Sequence, residues 1–174
     1  GPLGTPNEVA FFNGLNKLPV DVQMKFYDVW GTEKTYNHMS AGWSWAFDTP
    51  FDWFKQNASR LGGINQNMVV SWPARIKDKG ALREQFIHVI DVVPTILEAA
   101  GIKAPEMVDG IRQAPIEGTS FAYTFDAANA KPSLHKTQYF EMMGQWALYD
   151  DGWLLSTKVN RAPWQVFGEA NTDP

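Results

Sequence analysis

The segment from Phe86 to Gly101 constrains the fold more than any other part of the chain. A short run of mainly apolar residues opens it, Asp91 then stands where a helix N-cap is expected, and Pro94 falls inside the first turn. Gly101 follows the last residue of the helical pattern, the usual place for a glycine that ends a helix. The pattern therefore predicts a short extended piece followed by a helix over Val92–Ala100.

Three further segments have the composition of strands. Asn67–Pro73 is a compact apolar and β-branched run ended by a proline, which is typical of a buried strand in a sheet covered on both faces. Gln138–Met143 and Trp146–Tyr149 are strand-like, and Asp151-Gly152 supplies the positive-φ residues that a tight hairpin turn requires. Together with the helix, these segments predict an α/β fold with a small antiparallel sheet and a packed helix.

The remaining segments are less regular. The apolar spacing within Val20–Trp30 is nearer to a helical period than to alternation, and it predicts a short helix ended by the glycine that follows. Proline and glycine mark Ile102–Gly118 as a long connection. Thr119 or Ser120 is then placed to cap a further short helix.

Aromatic residues make up 14% of the chain, and eight of them are Trp. The densest patch, between Trp30 and Trp53, sets them among Gly, Asn and Pro, which predicts a long, well-packed loop region. Two interpretations fit such a patch. The aromatic side chains pack the loop in place, or they offer a stacking platform for a sugar or an aryl group.

Charge and composition exclude several classes of function. Fifteen Lys and Arg against 19 Asp and Glu give a net charge of -4, so nucleic acid is not an expected partner. No apolar run approaches the roughly 18–20 residues that cross a bilayer, so no membrane partner is expected. The absence of Cys excludes a disulfide scaffold, a Cys-based zinc site and a cysteine nucleophile, and it leaves the cellular compartment open.

The two ends of the chain indicate a piece of a longer protein. Residues 1–4 match the scar that a protease leaves when a tag is removed, so they are set apart from the fold. The sequence then begins abruptly at Thr5, and its last seven residues are mostly polar, without a helix stop or an amphipathic closure. We therefore expect residues 5–174 to be a fragment.

Few residues stand out as candidates for chemistry. The three histidines, His38, His88 and His135, match no metal-binding spacing, and no Gly-x-Ser-x-Gly nucleophile elbow is present. Lys55 lies among aromatic residues ahead of Gly62-Gly63, where apolar neighbours could hold it as a fixed positive charge for an anionic substrate. The alternative is a lysine whose stem covers an apolar surface while its ammonium group stays in water.

A series of short motifs runs in one order from about Asn7 to Trp164. They are Lys34-Thr-Tyr-Asn-His38, Gly42-Trp-Ser-Trp45, Asp48-Thr-Pro-Phe-Asp-Trp-Phe-Lys-Gln56, Ala58-Ser59, Gly62-Gly63, Val69-Val-Ser-Trp-Pro73, His88-Val-Ile-Asp-Val-Val-Pro-Thr-Ile-Leu-Glu-Ala-Ala-Gly101, Pro115-Ile-Glu-Gly118, Thr137-Gln-Tyr-Phe-Glu141 and Asp151-Gly-Trp153. In this order they resemble the C-terminal part of a bacterial arylsulfatase, a formylglycine-dependent sulfatase of the alkaline-phosphatase superfamily.

The resemblance implies both a fold and a chemistry. The fold is the last part of a sulfatase α/β sandwich followed by a small antiparallel subdomain with its packed helix. The parent protein would hydrolyse sulfate esters with a formylglycine nucleophile and a divalent cation, usually calcium. Because the negative oxygens of a sulfate repel a nucleophile, cations must neutralise them. Lys55 would be the late catalytic lysine, which touches the sulfate and the leaving group. His38 would lie near the mouth of the site and contact substrate, or act only as a hydrogen-bonded loop histidine.

The resemblance also places the nucleophile motif, Cys or Ser followed by x-Pro-x-Arg, and the metal-binding aspartates upstream of Asn7. No nucleophile motif, metal ligand or cofactor is therefore expected within this chain. Four positions depart from the family within the matching region: Arg60 and Asp150 replace histidines, Ile87 replaces the first of a histidine pair, and Trp146 replaces an arginine. We therefore expect the chain alone not to turn over.

Two alternatives stay open beside this one. The chain could be a non-catalytic module that binds sulfated sugars or aromatic ligands through the Trp-rich loop, defined as Trp43 to Trp53. It could also self-associate through the apolar surface that truncation exposes. A periplasmic or secreted parent is compatible with the resemblance, and the sequence does not fix the compartment.

Overall fold

The computed structural model describes residues 19–35, 39–126 and 130–157. Within these ranges the chain divides into two compact units. The first comprises residues 19–66, 140–147 and 155–157, and the second comprises residues 67–126, 130–139 and 148–154. None of the helices in the described ranges has the length and the apolar character needed to cross a lipid bilayer.

Three short α-helices lie in the first unit: α1 (Val20–Met24), α2 (Ala41–Phe47) and α3 (Leu61–Ile64). A 3₁₀ helix, Tyr27–Val29, follows α1. Gly31 then takes a positive φ of 83°, a conformation that glycine adopts without strain. The short helix predicted before this glycine is confirmed, in two separate pieces.

The Trp-rich loop is partly helical, so the prediction of a loop throughout is wrong. Helix α2 occupies its first half, and Trp43 and Phe47 are one turn apart on α2, with 65% and 71% of their surfaces exposed. Trp53 is buried, and its ring centroid lies 5.9 Å from that of Trp45. Aromatic packing therefore fixes the end of this segment, whereas two of its large rings face solvent.

In the second unit the main helix is α4 (Val92–Ala100), preceded by a 3₁₀ helix, Val89–Asp91. Gly101 ends α4 in the left-handed conformation with φ 67°, as the sequence pattern predicts. The N-terminal prediction is wrong in one respect, because the Asp91 side chain makes no capping hydrogen bond to α4. Its carboxylate accepts hydrogen bonds from other segments instead.

The core of the second unit forms around a short 3₁₀ helix, Ala122–Thr124. Phe121 is its N-cap and no side chain caps it, although the hydroxyl oxygen of Ser120 accepts a hydrogen bond from the backbone N–H of Ala122 at 3.2 Å. The buried residues Phe121, Ala122 and Phe125 are surrounded by the partly buried Trp72, Ile76, Ile87, Val92 and Tyr123. Helix α4 is thus packed through Val92. The predicted short helix is confirmed, whereas the predicted cap at Thr119 or Ser120 is wrong.

Two hairpin systems complete the structure. Strands β3 (Thr137–Met142), β4 (Gln145–Asp150) and β5 (Trp153–Ser156) form a sheet in that order. Both connections are two-residue turns of positive φ, Met143-Gly144 and Asp151-Gly152, which join antiparallel neighbours. The predicted strands and hairpin are confirmed, and with α4 they confirm the α/β class with a small antiparallel sheet.

A second, smaller hairpin lies inside the segment expected to be a plain connection. Strands β1 (Met107–Val108) and β2 (Ile111–Arg112) pair antiparallel, with Val108 opposite Ile111. Asp109 and Gly110 form the turn with φ of 49° and 78°. The Asp-Gly pair is the same hairpin signal that stands between β4 and β5, so the sequence also contained the signal for this hairpin.

Residues 67–73, predicted as a buried strand, form no strand, and this prediction is wrong. Val69 is 92% exposed, and Met68 and Val70 are 46% and 42% exposed. A buried strand needs a neighbour on each side to satisfy its backbone. No described residue takes that place, so the apolar run lies open to solvent.

Candidate functional site

Lys55 lies in an irregular loop of the first unit and its side chain is exposed. Two residues close to it, Trp53 and Gln56, take positive φ values of 67° and 76°. Such backbone is uncommon for residues with a side chain and persists only where the surroundings enforce it. The backbone that carries Lys55 is therefore held in a specific conformation.

Asn57 helps to hold this backbone conformation. It is 2% exposed, and its side-chain Nδ2 donates hydrogen bonds to the carbonyl oxygens of Phe54 at 2.8 Å and Lys55 at 3.3 Å. Next to it, Ser59 is also buried and donates from Oγ to Oε1 of Gln145 at 3.4 Å. The amide of Asn57 thus closes the turn over which Lys55 projects.

The Gly62-Gly63 pair allows α3 to lie directly against this loop. A Cβ at Gly62 would collide with the carbonyl oxygens of Asp52 and Trp53, and one at Gly63 would collide with the carbonyl oxygen of Asn57. The N–H of Gly62 donates to the carbonyl of Asp52 at 3.1 Å. Only glycine permits this approach, so the pair that marks the motif in the sequence has a packing role on both sides of Lys55.

The two cations of this loop differ in their partners. Arg60, one of the four positions expected to depart from the family, lies with Nη1 3.4 Å from Oδ2 of Asp52. The ammonium group of Lys55 has no carboxylate within ion-pair distance among the residues that the structure describes. Lys55 is therefore an accessible positive charge on a fixed backbone, which suits an anionic ligand.

His38, the predicted substrate contact, lies outside the described residues. Of the other departures from the family, Ile87 packs against the core cluster of the second unit, and Asp150 accepts a hydrogen bond from the hydroxyl of Thr137 at 2.6 Å. In the first unit, the backbone N–H of Trp146 donates to Oγ1 of Thr157 at 3.1 Å, and its carbonyl oxygen accepts from the backbone N–H of Thr157 at 3.0 Å.

A polar cluster centred on Asp91 in the second unit was not foreseen from the sequence. The Asp91 carboxylate has no solvent exposure and accepts hydrogen bonds from the backbone N–H groups of His88 and Thr119, each at 2.7 Å. Nδ1 of His135 lies 2.8 Å from its Oδ2, so Nδ1 carries the shared proton. Burial lowers the pKa of His88, with His135 acting in the same direction and Asp91 opposing it.

This cluster is structural. Thr95, one turn into α4, donates from its hydroxyl to the carbonyl of Asp91 at 2.6 Å and accepts from the N–H of Phe121 at 3.0 Å. Three stretches of chain that are distant in sequence are thereby joined. An Asp directly before a helix, with a His three residues earlier, was the only sequence signal that could have indicated it.

The described residues do not fit a calcium site. Nowhere in the described ranges do three or more His, Asp or Glu side chains group in a way that could hold a metal ion. Ca²⁺ takes six to eight oxygen ligands, several of them carboxylates. The cation implied by the resemblance therefore has no ligand set in this part of the chain.

One stretch does satisfy the nucleophile pattern Ser-x-Pro-x-Arg, so the expectation that no such stretch occurs is wrong: Ser71-Trp-Pro-Ala-Arg75. Its surroundings are not those of a reactive group. Ser71 is exposed, and the guanidinium of Arg75 forms two hydrogen bonds with Asp126, at 3.0 and 2.8 Å. Arg75 also lies 5.7 Å from the rings of Trp72 and Phe125. The guanidinium of Arg75 is thus engaged in a partly exposed ion pair beside the rings of Trp72 and Phe125.

Part of the chain is similar to known proteins. Residues 50–128 match the family model described as N-sulphoglucosamine sulphohydrolase, C-terminal. An ulvan-active sulfatase from Formosa agariphila is 46% identical over 48 residues, which are 28% of this chain and 9% of that relative. The match thus spans less than a tenth of the relative, and no solved structure matches significantly.

The matched range contains the Lys55 loop, the Gly-Gly pair, Asp91 and α4, so these features lie in the part of the chain that is similar to a sulfatase C-terminal region. Both matches support the resemblance to a C-terminal portion of a sulfatase that the motifs indicate.

Proposed function

We propose that this chain is the C-terminal part of a sulfate-ester hydrolase and that Lys55 binds the sulfate group and the leaving oxygen of the substrate. The observation that carries this proposal is the accessible ammonium of Lys55 on a backbone fixed by Asn57 and Gly62-Gly63. A cation held in place before the substrate arrives costs no reorganisation during the reaction.

Hydrolysis of a sulfate ester requires a cation of this kind near the reacting oxygens. In net terms, hydrolysis forms a bond between sulfur and a water oxygen and breaks the bond between sulfur and the ester oxygen. A proton of that water passes to the ester oxygen, which leaves as the alcohol or phenol. Negative charge develops on the leaving oxygen while the sulfate oxygens already carry charge. A lysine ammonium can donate hydrogen bonds to both kinds of oxygen.

We further propose that the nucleophile and the divalent cation implied by the resemblance lie outside the residues described here. The 174-residue chain is then inactive alone, because one cation offers no covalent route. With calcium present, an aryl sulfate such as 4-nitrophenyl sulfate should release no phenol above buffer. Measurable turnover that disappears in Lys55→Ala would overturn this part of the proposal.

The role of Lys55 is tested in the longer gene product that contains this segment. Lys55→Ala should lower kcat/KM for sulfate-ester hydrolysis by about 100-fold, the effect of removing one preorganised donor. Lys79→Ala removes an exposed lysine in the second unit and should leave turnover unchanged. Unchanged turnover in Lys55→Ala would show that this lysine has no part in the reaction.

A second candidate function rests on α2. Trp43 and Phe47 expose most of their surfaces, and their ring centroids are 6.2 Å apart with a tilt of 40°. Exposed aromatic faces of this kind stack on sugar or aryl groups. We propose as the alternative a non-catalytic module that binds sulfated sugars or aromatic ligands through this pair.

Tryptophan fluorescence separates the two functions. Titration with a sulfated polysaccharide such as ulvan should shift the emission of the chain if Trp43 contacts the ligand, and Trp43→Ala should remove the shift. Lys55→Ala should reduce the affinity only if sulfate is bound at the same time. A flat response in the unsubstituted chain would eliminate the binding-module function.

A further inference from the structure

A buried hydrogen bond joins the Lys55 loop to the β3–β4 hairpin within the first unit. Oγ of Ser59 donates to Oε1 of Gln145 at 3.4 Å, across 86 residues of sequence. Ser59 is 1% exposed and Gln145 is 6% exposed, so water has little access to replace either partner. The bonds from Asn57 to the carbonyls of Phe54 and Lys55 are local. The bond between Ser59 and Gln145 therefore connects the loop to a different part of the fold.

Burial of the donor decides how much this bond matters. A hydroxyl donor usually lies about 2.7–2.8 Å from its acceptor, so a separation of 3.4 Å is long. However, a buried hydroxyl that loses its partner keeps the cost of having left water. Among the described residues, the side-chain oxygen of Gln145 is the partner of the Ser59 hydroxyl. Gln145 thus helps to determine where Ser59 lies.

Gln145 is itself held from both sides along the chain. It is the first residue of β4 and follows the turn that ends at Gly144, whose N–H donates to Oε1 of Glu141 at 2.8 Å. On its other side, the carbonyl oxygen of Trp146 accepts from the N–H of Thr157, directly after β5, at 3.0 Å. The acceptor for the hydroxyl of the loop therefore belongs to a sheet.

We infer that Gln145 is a positioning residue for Lys55: through Ser59 it holds the loop so that the Lys55 ammonium lies where the leaving oxygen of the sulfate ester will be. The inference rests on the proposed function, since the position of Lys55 matters only if it contacts the substrate. Ser59 follows the turn that Asn57 closes over the Lys55 carbonyl. A misplacement of about 1 Å can lower a rate about 100-fold, so one bond at the base of the loop is enough to affect turnover.

The leaving oxygen gives this role a specific signature. As the bond from sulfur to the ester oxygen breaks, that oxygen takes the bonding electron pair, and a positioned ammonium stabilises the charge by hydrogen bonding. A 4-nitrophenolate spreads the charge into its nitro group and needs this stabilisation less than unsubstituted phenolate does. Displacement of Lys55 should therefore slow the hydrolysis of phenyl sulfate more than that of 4-nitrophenyl sulfate. A loss of folded protein would slow both equally.

Kinetics of the longer gene product with these two esters test the inference. Gln145→Met nearly preserves the volume of the side chain and removes the amide oxygen. We expect kcat/KM for phenyl sulfate to fall about tenfold and that for 4-nitrophenyl sulfate to fall about twofold. Ser59→Ala removes the donor instead and should reproduce both changes. Gln113→Met makes the same exchange at an exposed position of the second unit and is the control, with both values unchanged.

A double-mutant cycle separates positioning from an independent effect. If Gln145 acts through Lys55, the double variant Lys55→Ala/Gln145→Met should be no slower than Lys55→Ala alone. Likewise, Ser59→Ala/Gln145→Met should be no slower than the slower of its two single variants, because each single substitution already breaks the same bond.

Failure of this inference is distinguishable from failure of the proposed function. Equal losses for the two esters, or losses that add fully to those of Lys55→Ala, would give Gln145 a role in stability alone and overturn the inference. Unchanged kinetics in both Gln145→Met and Ser59→Ala, beside a slow Lys55→Ala, would overturn it as well and leave the proposed function intact. A fully active Lys55→Ala would overturn the two together.

Discussion

The carboxylate of Asp91 lies 2.8 Å from Nδ1 of His135, and the side chain of Asp91 has no exposure to solvent. Forty-four residues separate the two in sequence. The pair connects the start of α4 with the segment that leads into β3, and the N–H of Thr119 joins the same carboxylate. A buried carboxylate with three donors is stabilising only while the donors stay in place.

Removal of the His135 imidazole should therefore destabilise the second unit strongly. His135→Ala leaves the buried Asp91 with its charge incompletely compensated, and we expect the free energy of unfolding to fall by about 3 kcal/mol. Lys136→Ala is the matched control, because the Lys136–Asp151 ion pair is mostly exposed and such pairs contribute little. Urea denaturation of both variants measures the difference. Equal midpoints would mean that the Asp91–His135 contact carries no stability.

The depressed pKa of His88 predicts a pH dependence. Burial favours its neutral form in the folded state, and nearby His135 acts in the same direction, whereas the unfolded chain titrates near 6.5. Between the two pKa values the unfolded state binds more protons, so this contribution to stability is fully present above about pH 6.5 and is lost as the pH falls through the folded pKa. Denaturation midpoints measured from pH 8 down to pH 5 should fall.

His88→Gln removes the titrating group and serves as the comparison for that pH series. We expect its midpoint to change less between pH 8 and pH 5 than that of the unsubstituted chain. Parallel curves would show that the pH dependence does not originate at His88.

The parts of the fold that the sequence predicted are those whose signals are local. Helix α4 ends at Gly101 because a left-handed residue suits glycine, and the β4–β5 hairpin turns at Asp151-Gly152 for the same reason. The β1–β2 hairpin carried an equal signal in Asp109-Gly110, which the high proline content around it obscured.

The parts that the sequence did not predict depend on partners distant along the chain. Val69 lies in a strand-like run, but a strand exists only where a neighbour supplies the ladder, and the described residues supply none. Asp91 stands in an N-cap position, yet Thr119 and His135 compete for its carboxylate from elsewhere. For the candidate site, the motif identified Lys55, whereas the role of Asn57 beneath it emerged only from the structure.

The side-chain amide of Asn57 should contribute to the stability of the Lys55 loop. Asn57→Ala removes the donors to the carbonyls of Phe54 and Lys55 at a buried position, and we expect a loss of about 1–3 kcal/mol of stability. Asn67→Ala, at an exposed position without a hydrogen bond, is the control. Chemical denaturation followed by tryptophan emission would measure the midpoints of both variants. Similar midpoints would show that the side chain of Asn57 does not stabilise this loop.

Two glycines of the first unit should respond to alanine in opposite directions. At Gly62 a Cβ meets the backbone carbonyls of Asp52 and Trp53, which cannot move aside without displacing the Lys55 loop, so Gly62→Ala should cost about 3 kcal/mol. At Gly42, inside α2, no atom lies within 4 Å of the added carbon. Gly42→Ala should therefore stabilise the helix, by about 0.5 kcal/mol, because alanine loses less backbone entropy on folding. Thermal denaturation of the two variants measures the contrast. A neutral Gly62→Ala would contradict the packing of α3 against the Lys55 loop. A destabilised Gly42→Ala would contradict the open space around Gly42 in α2.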